Sequence, residues 1–186
     1  MYRNIWDLPT PAVLVEGRIL QENISRMARW SADGGKGLRP HAKAHKCPDI
    51  ARMQLQAGAE GFTTATLVES GEMIRAGAEK ITLAMPLWDT GDLTRLEPLL
   101  EKAEITLVIN DLDHAVHLNS LCAGMGLNFP VYWEVDTGLR RCGVLPDDIL
   151  PETVAALEDL SNLKIVGLLS HGGHSYRASG RDELKL

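Results

Sequence analysis

Lys43 stands between two histidines in the run Leu38-Arg39-Pro40-His41-Ala42-Lys43-Ala44-His45-Lys46-Cys47. A lysine amine condenses with a carbonyl to form a Schiff base, which no other side chain does well. Arg39 and Lys46 would favour the neutral, nucleophilic amine by like-charge repulsion if they lie within a few ångströms of it. The same decapeptide also reads as a basic surface loop, and taken alone it leaves both readings open. A second run, Val135-Asp136-Thr137-Gly138-Leu139-Arg140-Arg141-Cys142-Gly143-Val144, follows a β-rich stretch. Gly138 and Gly143 permit backbone angles that most residues avoid, so Arg140 and Arg141 sit in a tightly shaped loop. The plain alternative is a strand-to-helix turn with solvent-facing arginines.

Further candidates carry less. Ser170-His171-Gly172-Gly173-His174-Ser175-Tyr176 combines acid/base and hydrogen-bonding groups in a loop, or is simply a polar surface loop. His41 and His45 would point to the same side as Lys43 on a regular strand, as ligand contacts or as packed structural histidines. His114 and His117 have helical spacing without an evident third metal ligand. Cys142 has no adjacent base and reads as packing. Gly34-Gly35-Lys36-Gly37 precedes a strand where a phosphate loop would follow one, so it reads as a mobile connection.

The elements that must position these groups repeat one theme. Short β runs begin near residues 11, 38, 61, 80, 105, 129 and 164. Helical periodicity fills residues 19–27, 49–57 and 68–76 between them. Strands alternating with helices imply parallel βαβ units, and the short links favour a (β/α) barrel over an open sheet. Sites in such barrels sit at the C-terminal ends of the strands. Lys43 would end the second strand, Thr66 the third, residues 136–141 follow the sixth, and residues 170–176 follow the seventh. A closed eight-fold barrel takes about 250 residues. With 186 residues the chain is expected to stop just after its seventh strand, with Arg181-Asp182-Glu183-Leu184-Lys185-Leu186 opening a helix. An unclosed barrel would leave a strand edge and an apolar flank exposed.

Composition bounds the function class. A net charge of −6 argues against nucleic acid as a main partner. No apolar run approaches the roughly 18 residues needed to span a bilayer, and the first residues lack the apolar core of a signal peptide. Cys47, Cys122 and Cys142 form no even framework and no C-x-x-C pair, so a reduced cytoplasmic setting is expected.

The lysine and arginine motifs together resemble the alanine-racemase-like barrels that use pyridoxal phosphate, above all their D-threonine aldolase and D-serine dehydratase branch. Asp7-Leu8-Pro9-Thr10-Pro11-Ala12 and Ala65-Thr66-Leu67-Val68-Glu69 are similar to that branch as well. The resemblance implies a (β/α)8 barrel of the TIM type, class α/β, truncated here, and a C-terminal β domain absent from this chain. It implies Lys43 as the residue that forms the Schiff base with the cofactor, and Arg141 as an arginine facing the pyridine nitrogen. His41 and Thr66 would lie against the cofactor. His171 would buttress Arg141 or contact the cofactor; His174 or Tyr176 would reach the substrate or the cofactor's phosphate, His174 being the candidate for acid/base work. The implied activity is a lyase acting on small D-amino acids, most like D-threonine aldolase, which yields glycine and an aldehyde. D-serine dehydration, a non-catalytic cofactor-binding barrel and an inactive fragment are the alternatives. The resemblance also implies a divalent metal whose ligands lie outside this chain, and a homodimer.

Overall fold

The computed structural model describes residues 4–184. Five parallel strands lie in chain order: β1 (Phe62–Thr64), β2 (Lys80–Leu83), β3 (Glu104–Ile109), β4 (Phe129–Glu134) and β5 (Leu163–Leu169). Six helices accompany them: α1 (Gly17–Asp33), α2 (Pro48–Gln56), α3 (Leu67–Arg75), α4 (Thr90–Leu100), α5 (Leu112–Met125) and α6 (Pro151–Glu158). Neighbouring strands are consecutive in sequence and each crosses over through one helix, the order of a partial (β/α) barrel. Among the described residues the sheet is open and does not close on itself.

Sequence dictates where each helix starts. Thr66, Asp89 and Asp111 cap α3, α4 and α5, their side-chain oxygens accepting the N–H groups of Glu69, Asp92 and His114. These caps satisfy donors that the first helical turn would otherwise leave unpaired. Gly126 ends α5 in the left-handed region at φ 68°, a conformation open to glycine.

The sheet divides side chains by alternation. Phe62, Ile81, Leu83, Ile105, Leu107, Ile109, Phe129 and Val131 are buried in a core with Met73, Leu93, Leu96, Leu118, Cys122 and Leu157 of the helices. Each such side chain fully buried stabilises by roughly 1.5–3 kcal/mol. The opposite face, which lines the barrel interior, carries Thr63, Thr82, Thr106, Tyr132 and Glu134 at alternate positions. Arg39 Nη1 donates to Thr82 Oγ1 at 3.1 Å and closes this interior below the site. A β-bulge interrupts the β4–β5 ladder: Val131 pairs with Ile165, but Tyr132 pairs with Gly167, leaving Val166 unmatched.

Two expected strands take another form. Residues 11–15 are extended without a ladder partner, and Val13 is 94% exposed. A β run becomes a strand only when a neighbour supplies backbone partners, and no described strand does so here. The segment at Leu38 runs beside β1 through a bridge from His41 to Thr63 and two backbone bonds, from Glu60 N–H to Leu38 O and from Thr63 N–H to Pro40 O, each 2.9 Å. It then breaks into the 3-10 turn Ala42–Ala44, so Lys43 sits on a turn just past a strand-like segment instead of ending a strand. Gly34 and Gly35 form the hydrogen-bonded close of α1, with Ser31 Oγ donating to Lys36 O at 2.6 Å. The terminal helix expected from residue 181 is the 3-10 turn Arg181–Leu184, and residues 185 and 186 lie outside the described residues. No helix among the described residues is long and apolar enough to cross a membrane.

His114 and His117 serve α5 packing. Both rings stack on Trp88, with centroids at 4.5 and 5.5 Å, and their Nε2 atoms meet the carbonyls of Leu87 and Trp88. Among the described residues no cluster of three or more His, Cys, Asp or Glu could hold a metal ion.

Phe62 is fully buried at the centre of this core. Phe62→Ala is expected to lower the urea unfolding free energy by about 3–5 kcal/mol. Gly143 stands at φ 90°, and a Cβ there would come within 2.6 Å of the Glu134 carbonyl oxygen. Gly143→Ala is therefore expected to destabilise by about 1–3 kcal/mol, read by thermal unfolding, with loss of the Val135–Val144 bridge.

Candidate active site

A cavity of about 570 Å³ opens at the C-terminal ends of the strands, within the usual range of about 300–1,000 Å³ for small-molecule sites. Lys43 and His41 reach it from the turn beside β1, Glu134, Arg141 and Cys142 from β4 and the loop after it, and His171 and Tyr176 from beyond β5.

The turn that presents Lys43 is fixed at both ends. His41 caps it, its Nδ1 accepting the Lys43 N–H at 3.3 Å, and Ala42 is fully buried. With Nδ1 so engaged, the neutral imidazole carries its proton on Nε2. Burial holds His41 below the usual histidine range, the Lys43 charge adding to it; Glu69 opposes and His171 adds further. His45 lies outside the cavity lining, its Nδ1 accepting the Cys47 N–H at 3.0 Å. The alternation that would have kept both histidines with Lys43 ends where the 3-10 turn begins.

The Arg141 loop is built on Asp136. Asp136 Oδ1 accepts the N–H groups of Gly138 at 2.8 Å and Arg140 at 3.1 Å. The Gly138 bond, then the Arg140 bond, holds this carboxyl below the usual carboxylate range. Arg140 takes φ 55° and Gly138 φ 127°, so the chain doubles back and returns to β4. Val144 N–H bonds Glu134 O at 3.0 Å, and Asp136 N–H bonds Val144 O at 2.8 Å. Arg141 is delivered to the cavity from this closed loop, while Arg140 does not line it.

His171 and Tyr176 meet edge to face at the cavity, with centroids 6.1 Å apart. His174 and Thr66 do not line it. The His174 ring packs on Gly138, whose hypothetical Cβ it would meet at 3.4 Å, and so stands behind the arginine loop. Thr66 caps α3 with its hydroxyl on the Glu69 N–H at 3.1 Å. Cys142, expected in packing, lines the cavity.

Glu134 is a site residue that sequence reasoning passed over. It lies on the inner face of β4, 8% exposed, and burial pushes its carboxyl above the usual range, opposed by Arg141 and then by His171. Its alternation with Tyr132 was a readable signal, but only the fold shows which face is inward. Glu69 is buried behind the Lys43 turn, and its Oε1 meets Lys46 Nζ at 2.7 Å. An amine, a guanidinium, two imidazoles and a phenol around one open cavity make a donor set suited to an anionic, aldehyde-bearing cofactor such as pyridoxal phosphate.

Residues 16–185 match the family model described as the alanine racemase N-terminal domain. The chain is 29% identical over 174 residues to a D-threonine aldolase from Arthrobacter sp., covering 94% of this chain and 46% of that protein. It is 29% identical over 187 residues to the D-threo-3-hydroxyaspartate dehydratase of Delftia sp. strain HT23, covering 100% of this chain and 49% of that protein. The dehydratase structure superimposes with a TM-score of 0.86 at 30% identity, over 96% of this chain and 48% of that chain. The D-threonine aldolase structure from Filomicrobium marinum gives 0.79 at 30% identity, over 88% of this chain and 44% of that chain. The chain thus spans about half the length of these relatives. With the matched region covering nearly all of the sequence, the chain belongs to the alanine racemase N-terminal domain family.

Proposed function

We propose that this chain forms the cofactor-holding barrel portion of a pyridoxal-phosphate-dependent lyase acting on small D-amino acids, most like D-threonine aldolase. The observation that carries the proposal is that Lys43 and Arg141, which arise far apart in sequence, line one cavity at the C-terminal ends of the strands. When bound there, pyridoxal phosphate supplies an aldehyde that amines condense with and a conjugated ring that takes up electron density as a bond at Cα breaks.

The protein's own groups have separable tasks. Lys43 Nζ is the amine that would hold the cofactor's aldehyde carbon. Arg141 brings a planar guanidinium with fixed donors to the cavity wall. It would orient the cofactor by donating hydrogen bonds to it, not by proton transfer. His41 offers an Nε2–H donor to the cavity. Burial pushes the Glu134 carboxyl above its usual range, which places a proton-exchanging group at the cavity wall. His171 and Tyr176 flank the opening towards solvent. A divalent metal, if the reaction uses one, would take ligands from outside the described residues.

Dehydration is the second reading, supported by equal identity to the Delftia dehydratase. Products separate the two. With D-threonine, an aldolase gives glycine and acetaldehyde, whereas a dehydratase gives 2-oxobutanoate and ammonia. Assay of the protein with D-threonine and added divalent metal is expected to yield glycine and acetaldehyde; 2-oxobutanoate as the main product would select dehydration.

Cofactor binding is tested on the chain itself. Pyridoxal phosphate is expected to produce a visible absorbance band, fixed by borohydride onto the peptide carrying Lys43. Lys43→Ala should abolish the band, and its persistence would overturn the assignment. Arg141→Ala should weaken cofactor affinity by roughly 10- to 150-fold, the range for one hydrogen bond to a charged group; an unchanged titration would remove Arg141 from the site.

A further inference from the structure

Lys46 follows just after the turn that carries Lys43 and bears the same reactive group, yet it does not line the cavity. Its backbone explains part of this. Lys46 takes φ 49°, a left-handed conformation uncommon for a residue with a side chain, while its N–H bonds Ala42 O at 2.8 Å. Its Nζ is 2.7 Å from Glu69 Oε1 on α3.

Glu69 is unusually well anchored for that contact. Its side chain is 5% exposed, its Oε2 accepts the Ala65 N–H at 2.8 Å, and its own N–H is capped by Thr66 Oγ1 at 3.1 Å. Burial acts to raise the Glu69 carboxyl, but the bonds from Lys46 and the Ala65 N–H, with the Lys46 charge, outweigh it and leave it below the usual value. The Lys46 side chain is 64% exposed, so the pair contributes little as a surface ion pair. What the fixed, buried carboxylate supplies is direction.

We propose that Glu69 is a positioning residue that selects between two lysines, holding Lys46 against α3 so that Lys43 alone among the described lysines presents its amine to the cavity. The inference rests on the cofactor role proposed for Lys43. In the selected step the amine nitrogen forms a bond to the aldehyde carbon and the carbonyl oxygen leaves as water. Borohydride then delivers hydride to that carbon while solvent protonates the nitrogen, giving a stable secondary amine that peptide mapping locates.

The experiment compares the wild-type chain, Lys43→Ala and Lys43→Ala/Glu69→Gln after pyridoxal phosphate and borohydride. The wild type is expected to carry the label on Lys43. Lys43→Ala alone is expected to carry little on Lys46, because the carboxylate still holds it. The double variant is expected to label Lys46 roughly two- to fivefold more than Lys43→Ala does, the release of one solvent-screened ion pair. A merely structural role for Glu69 would lower labelling everywhere and would not move it to Lys46. Glu69→Gln keeps the acceptor for Ala65 N–H; if circular dichroism shows that it fails to fold, Glu69→Asp takes its place with the same readings. Wild-type label on Lys43 with no gain on Lys46 in the double variant overturns the selection and leaves the cofactor site standing. Label on Lys46 in Lys43→Ala equal to that in the double variant also overturns it. Absence of label on Lys43 in the wild type overturns the cofactor reading and the selection with it.

Discussion

Alternation across a parallel sheet, combined with burial of one face, is the constraint on which the site depends. Phe62, Ile81, Leu107 and Val131 have almost no solvent exposure because helices cover them, and a one-residue slip of any strand would exchange that face for the other. The apolar face therefore determines what the opposite face shows to the cavity. Thr63 and Glu134 are inward because their neighbours Phe62, Thr64 and Trp133 are committed outward. The packing energy that holds the domain together is also what aims the polar groups.

Beyond the strands, single acceptors organise each loop. Asp136 gathers the N–H groups of Gly138 and Arg140. His41 caps the turn carrying Lys43, and Glu69 ties Lys46 and the Ala65 N–H to the start of α3. In all three cases a short side chain replaces the ladder bonds that the backbone loses on leaving the sheet. The side chains that carry the chemistry, those of Lys43 and Arg141, are exposed and make none of these bonds. Support and reaction are assigned to different residues, so the reactive groups stay free for a ligand.

Much of this arrangement was legible in the sequence. Regular apolar periodicity marked β1 to β5 and α1 to α3 closely, because tertiary packing and local preference agree there. The motif residues Lys43, Arg141, His41, His171 and Tyr176 were singled out by residue type together with the family resemblance, and all five line one cavity. What failed depended on partners that no single segment reveals. Residues 11–15 have strand composition without a strand to pair with. Thr66 and His174 looked like cavity residues because they follow strands, but one is a helix cap and the other packs behind the Asp136 loop. Glu134 and Glu69 were hidden because an acidic residue near a motif ordinarily faces water, and their burial emerges only once the sheet and α3 are assembled.

The unmatched Val166 has an effect out of proportion to its place at the barrel's rim. Counting in twos from Leu163 would send Leu168 inward and Leu169 towards the helices. The extra residue inverts that parity, so Leu169 faces the cavity while Leu168 is left 65% exposed on the far side. β5 ends at Leu169, and from that inward-facing residue Ser170, His171 and Gly172 run on along the cavity wall. The loop that carries the His171 imidazole thus leaves the sheet from an inward-facing residue because of one unmatched residue upstream.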